Sequence, residues 1–322
     1  MSPVEGERLE VAAPFHMEAT VRMLQRRAED LVDRWEDERW LRLHPTEDGP
    51  ILAEVENRGT LDRPELVLRA VVGEPSPAVW KRLVGVTRGT LGLGVDPSGF
   101  EAEAIEVQGL RDLVIALRGM RPTRFVSLFE SFGRVVPYQQ LSLEAGLSLS
   151  NHLVEHFGES VEWRGTRYYA YPAAEAVAGT TVEKMRELGF SHAKGRALIE
   201  VAERIVSREL SLDELEALPT EDVYERLLEL RGVGPWTAWL VLLRGLGRLD
   251  AFPSGDVGAN RGLARLVGEP AEGFAADSFA ERFGDQRGLL YFYTLGAYLL
   301  RQGLITPAPP LETETAGAGA PG

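Results

Sequence analysis

One stretch constrains this chain more than any other: Leu230 to Asp256, which reads LRGVGPWTAWLVLLRGLGRLDAFPSGD. A helix is expected over Val223 to Leu230, and Arg231-Gly232-Val233-Gly234 then turns the chain sharply, because neither glycine carries a Cβ. Pro235 stands at the favoured first position of a second helix. The N–H groups of that turn and of the helix start would form an anion site of the kind that holds a phosphate. Helix, glycine hairpin, helix therefore reads as a backbone-phosphate clamp or as an ordinary αα-corner, since two glycines around one residue do not separate the two.

The residues after the hairpin carry more. The second helix holds Trp236, Thr237 and Trp239, ends near Gly245 to Gly247, and leads into Phe252-Pro253-Ser254-Gly255-Asp256. Ser254 is expected to cap a helix over Val257 to Val267, with Asp256 in its first turn. In order and spacing, this hairpin, helix, proline-containing loop and aspartate resemble the helix-hairpin-helix superfamily of DNA glycosylases, and within it bacterial 3-methyladenine DNA glycosylase II. The resemblance extends along most of the chain. Phe125 to Gly158 is similar to the family's helix, glutamine-containing wedge loop and helix. Leu188-Gly189-Phe190 with Lys194 to Ala202 resembles a family helix start, with Gly195 where the pattern has alanine. Pro14-Phe15 with Glu18 to Leu24 resembles the opening of the family's N-terminal domain.

Composition narrows the chemistry. The 322 residues suffice for two domains and a large core. The chain has no cysteine, so disulfides, thiolate zinc sites and iron–sulfur clusters are excluded, and with them the cluster-bearing branches of the superfamily. Of five histidines, His152 and His156 stand at helical spacing beside Glu155 with no third ligand in sight, so they read as helix surface; no metal and no cofactor are expected. Met1 to Ala13 has no apolar core and the longest uncharged run, Gly288 to Leu300, is too short to span a bilayer, so a cytoplasmic, nucleoid-associated protein without membrane contact is expected.

A net charge of −14 argues against a general nucleic-acid binder. Local charge weakens that objection. Between Arg231 and Leu266, Arg231, Arg244, Arg248, Arg261 and Arg265 face only Asp250 and Asp256, a local +3, and Lys184, Arg186, His192, Lys194 and Arg196 form a second basic cluster. A basic face on an acidic body suits damaged double-stranded DNA as the partner, with affinity that falls with salt. The protein is expected to act as a monomer.

Along the chain, residues 1–108 read as an α+β domain: a helix over Met17 to Ala28, strands over Ile51 to Glu56 and Glu65 to Val72, and a helix over Ser76 to Leu91. The resemblance implies a curved antiparallel sheet here. Trp35, Trp40 and Trp80 are read as core or hairpin packing. Residues 109–305 read as an all-α domain, helical throughout, with apolar positions recurring every three or four residues in Leu128 to Val135, Leu141 to Phe157, Ala197 to Ile205 and Leu289 to Leu300. Residues 306–322, rich in Pro, Thr, Gly and Ala, are expected to be a disordered tail.

Cleaving a base from duplex DNA requires flipping the nucleotide out and filling the gap. The resemblance puts Gln139 and Gln140 at the wedge loop, with Gln140 where close relatives carry an apolar residue; otherwise the pair is simply polar residues at a helix start. Breaking the bond at C1′ builds oxocarbenium character that one carboxylate can stabilise while it orients water. Asp256 is the candidate, against the plainer reading of an acid that favours its own helix N-terminus. A base alkylated on a ring nitrogen is already cationic and is held by aromatic faces. Trp236 matches a family pocket residue, and Trp239 and Tyr293 are further pocket candidates, although packing alone would account for them. Arg231, Gly232, Val233, Gly234 and Lys194 complete the expected DNA contacts. Members that also nick the backbone carry lysine at position 236, so tryptophan there implies a monofunctional enzyme. A non-catalytic helix-hairpin-helix DNA-binding protein and a glycosylase for oxidised guanine remain as alternatives.

Overall fold

A computed structural model describes residues 6–253 and 255–310. Glu7–Leu9 forms strand β1, and Met17–Gln25 forms helix α1, whose first turn is closed by His16 Nδ1 accepting the Ala19 N–H. Strands β2 (Arg34–Glu36), β3 (Arg39–His44), β4 (Ile51–Asn57) and β5 (Leu66–Val72) follow. The five pair antiparallel in the order β1-β5-β4-β3-β2. Helices α2 (Pro77–Thr90, capped by Ser76), α3 (Ser98–Ala104) and α4 (Arg111–Ala116) lead into the helical part of the chain.

That part comprises α5 (Leu128–Gly133), a 3₁₀ turn at Val136–Tyr138, α6 (Leu143–Phe157), α7 (Ala174–Ala178), α8 (Val182–Glu187), α9 (His192–Val206), α10 (Leu212–Ala217), α11 (Thr220–Leu228), α12 (Pro235–Arg244), α13 (Val257–Leu266), α14 (Ala276–Glu281), a second 3₁₀ turn at Gly284–Gln286 and α15 (Leu289–Arg301). An antiparallel sheet followed by a helical domain is the architecture expected from sequence.

Residues 160–169 differ. They form a hairpin, β6 (Ser160–Trp163) and β7 (Thr166–Tyr169), where continuous helix was expected. The large sheet explains it. Trp40, Val55 and Leu68 pack into the main core, while Leu41, Leu43 and Leu52 point the opposite way and need a second cover. Tyr168 and Ala170 supply it, with Leu43 bridging to Ala170.

The end of the chain differs as well. Residues 306–310 belong to the stretch expected to be disordered, yet the Thr306 N–H donates to Glu18, the Thr306 carbonyl meets His16 Nε2 at 2.9 Å, and the Ala308 N–H donates to the Ala116 carbonyl. Residues 311–322, the rest of that stretch, lie outside the described residues.

Sheet and helices share one core, reaching from Trp40 and Val55 to Leu243 and Phe292. A buried ion cluster crosses the same boundary. Arg42 on β3 donates to Asp33 (2.9 Å) and to Glu130 on α5 (2.6 Å), and Arg134 donates to Glu130, Asp30 and Asp33 at 2.7 to 2.9 Å. Burial works against every one of these charges, and only mutual pairing makes them tolerable away from water. The cluster holds α5, and the loop that follows it, in register with the sheet.

Candidate active site and nucleic-acid interface

The glycine hairpin forms between α11 and α12 as its residues dictate. The Leu230 N–H bonds to the Leu227 carbonyl and the Val233 N–H to the Leu230 carbonyl, which folds the turn back while Val233 is buried under it. Gly232 has φ +75°, a left-handed conformation that side chains resist, and a Cβ there would lie 2.9 Å from the Ala197 Cβ on α9. Gly234 has no such constraint: it caps α12, and a Cβ on it would meet nothing within 4 Å. Arg231 beside them is exposed and only loosely paired, 3.6 Å from Glu200.

Twenty residues beyond Trp236, Asp256 is the N-cap of α13 and not a member of its first turn. The capping role expected for Ser254, which lies outside the described residues, is filled by Asp256 itself: its Oδ1 accepts the Ala259 N–H at 2.8 Å. Its Oδ2 accepts the indole Nε1–H of Trp236 at 3.1 Å. One oxygen therefore fixes the carboxylate to its own helix, and the other ties it to the helix that starts at the hairpin. Both Asp256 and Trp236 remain partly exposed.

The glutamine loop closes on the same hairpin. Gln139 Nε2 donates to the Gly232 carbonyl and to Thr237 Oγ1, both at 2.9 Å. Lys194 on α9 donates to the carbonyls of Pro137 (2.9 Å) and Gln139 (2.7 Å), so this ammonium, expected at a phosphate, braces the loop instead. Desolvation lowers its pKa from the ordinary lysine value. With Gln139 tied down, Gln140 is the residue presented outward: it is exposed and held at φ +57°.

Comparison with known proteins fits this geometry. Residues 134–273, from the end of α5 to the loop before α14, match the family described as HhH-GPD superfamily base excision DNA repair protein. The chain carries an HhH-GPD domain. It is 36% identical over 140 residues to a DNA-3-methyladenine glycosylase of Bacillus subtilis, covering 44% of this chain and 46% of that protein. The chain thus spans about half the length of the curated relatives it matches. Among solved structures, a 3-methyladenine DNA-glycosylase from Archaeoglobus fulgidus superposes with a TM-score of 0.77 at 26% identity, covering 91% of this chain and 99% of that one. An 8-oxoguanine glycosylase/lyase from Clostridium acetobutylicum in complex with DNA shares the fold, with a TM-score of 0.67 at 20% identity over 94% of this chain and 100% of that one.

Within and around the HhH-GPD domain, two aromatic candidates have their contacts elsewhere. Trp239 stacks on Tyr224 of α11 with ring centroids 4.3 Å apart, because three residues after Trp236 the helix has turned it toward its neighbour. Tyr293 is only 1% exposed and donates its hydroxyl to Glu101 at 2.7 Å, and its ring packs on Phe100. The basic stretch is also smaller than its count of arginines suggests. Arg244 is fully buried between Phe125 and Phe292, which pushes its pKa down to about 9, and Arg248 donates to the carbonyls of Leu215, Glu216 and Leu218. Arg231, Arg261 and Arg265 are the exposed ones.

Three residues beside the site escaped the sequence reading: Arg26, Tyr138 and Tyr291. Arg26 Nη2 donates to the Tyr291 hydroxyl at 3.1 Å, and its guanidinium lies 5.9 Å from the centroid of the Tyr138 ring. Helical spacing offered a signal for Tyr291, since it shares a face of α15 with the partly exposed Leu295 and Tyr298, whereas Tyr293 points away from them. No sequence signal links Arg26, in the N-terminal part of the chain, to residue 256.

Proposed function

We propose that this protein is a monofunctional, monomeric DNA glycosylase that hydrolyses the N-glycosidic bond of flipped-out alkylated bases, of the 3-methyladenine and 7-methylguanine class, in damaged double-stranded DNA. The observation that carries the proposal is the hydrogen bond from Trp236 to Asp256, which joins the carboxylate to the first turn after the glycine hairpin. An aspartate serving only as a helix cap uses one oxygen on the backbone; here the second oxygen is aimed by an indole as well.

In this reading the hairpin amides and the exposed Arg231 hold the backbone phosphate beside the lesion, and Gln140, on a loop braced by Lys194 and Gln139, enters the gap left by the flipped nucleotide. Asp256 stabilises positive charge as it develops on the sugar and accepts the proton of the attacking water. A ring-alkylated base leaves without prior protonation, so one carboxylate suffices. Position 236 is tryptophan, which offers no amine for a Schiff base, and this supports hydrolysis without strand nicking.

The test is incubation of the protein with single-lesion duplexes, without added metal or cofactor, scoring released base, strand breaks and borohydride-trapped adducts. Released alkylated base with an intact abasic strand supports the reading. Binding without release would make the protein a DNA-binding module, and nicking or a trapped adduct would make it a glycosylase/lyase. Affinity for an abasic-site duplex should fall steeply as salt rises.

A further inference from the structure

The cation beside Asp256 has no place in the chemistry just described. Arg26 ends α1 in a left-handed conformation at φ 55°, which throws its side chain out of the helix line, and the guanidinium lodges between Tyr138, next to the glutamine loop, and Tyr291 on α15. Burial opposes its charge most strongly, but Tyr291, Tyr138 and the Asp256 carboxylate outweigh that and hold its pKa above the ordinary arginine value. Tyr138 is pushed up to about 12 and stays neutral. The guanidinium is thus permanently charged, within electrostatic reach of Asp256, and partly open to solvent. Only one of its five N–H groups has a side-chain partner recorded among the described residues.

A fixed cation is a poor wall for a base that is itself cationic. It is a good one for a neutral damaged purine, which must depart as an anion. When the C1′–N9 bond of such a purine breaks, the electron pair leaves on the base, and its ring nitrogens and any exocyclic oxygen become strong acceptors. Water adds to C1′, its proton passes to Asp256, and that proton ends on the released base through solvent. A guanidinium facing the base stabilises the departing anion and contributes nothing to a cationic base, which leaves neutral.

We propose that Arg26 is a specificity-determining residue that extends excision to neutral purine lesions bearing a hydrogen-bond acceptor. The inference rests on the glycosylase reading above. The test compares single-turnover excision of hypoxanthine and of 7-methylguanine from matched duplexes by the native protein, Arg26→Gln and Arg26→Lys. Arg26→Gln should lose about tenfold or more on hypoxanthine, the scale of one charge-assisted contact made in the transition state, with 7-methylguanine unchanged or faster. Arg26→Lys, which keeps the charge, should recover part of the loss. Equal falls on both lesions, or no change on either, would overturn the proposal and leave Arg26 a packing residue. Native protein that excises 7-methylguanine but not hypoxanthine would also overturn it. Native protein that excises neither would instead defeat the glycosylase reading.

Discussion

The indole Nε1–H of Trp236 donates to Asp256 Oδ2 at 3.1 Å, while Asp256 Oδ1 accepts the Ala259 N–H at 2.8 Å. Two helices that enter the site from different directions, α12 and α13, are fixed to each other through one carboxylate. A hydrogen bond to a charged group contributes roughly 1.5–3 kcal/mol. Trp236→Phe keeps an aromatic face but removes this donor, so base excision should fall about tenfold or more with affinity for an abasic-site duplex little changed. Single-turnover kinetics set beside equilibrium binding checks this; loss of both in proportion would mean that Trp236 acts only in binding.

The two hairpin glycines should behave differently. Gly232→Ala forces a Cβ into a left-handed residue packed on Ala197 and should cost about 1–2 kcal/mol in denaturant unfolding. Gly234→Ala meets open space, so stability should hold while affinity for an abasic-site duplex drops, because the added methyl stands where the DNA backbone would approach. A stable Gly234→Ala variant with native affinity would remove the hairpin from the DNA interface.

His44 gives the fold a pH dependence with a definite sign. Burial, and then the neighbouring Arg42, push its pKa from the ordinary 6.5 down to about 3. Between those values the unfolded chain binds a proton that the folded chain does not, so stability rises with pH there. The contribution is complete above about 6.5 and is lost progressively as pH falls toward about 3. His44→Gln should flatten the slope of unfolding free energy over that window, measured by urea denaturation at a series of pH values. A slope equal to that of the native protein would assign the acid sensitivity to other groups.

What the sequence made legible was whatever is local. The hairpin, Pro235 at a helix start and the twenty-residue step from Trp236 to Asp256 are properties of one contiguous stretch. Contacts between distant segments were not legible. The β6–β7 hairpin exists because Leu41, Leu43 and Leu52 leave a second apolar face on the sheet, a demand invisible within residues 160–169 themselves. Lys194 read as a phosphate ligand because its charge was known and the carbonyls of Pro137 and Gln139 it serves were not. Arg244 and Arg248 counted toward a basic face until burial and carbonyl contacts removed them. Asp256 differs from all of these: its cap and its indole bond join residues in one short segment, which is why the aspartate stood out before the fold was known.

The most direct test of the central claim is single-turnover excision of 7-methylguanine by Asp256→Asn, with binding to the same lesion duplex measured in parallel. Asparagine keeps an oxygen for the Ala259 N–H and removes the negative charge. Binding should be unchanged or slightly tighter, since a negative charge near a polyanion is lost, and excision should fall by on the order of 100-fold or more. Excision at the native rate would reduce Asp256 to a helix cap and contradict the account.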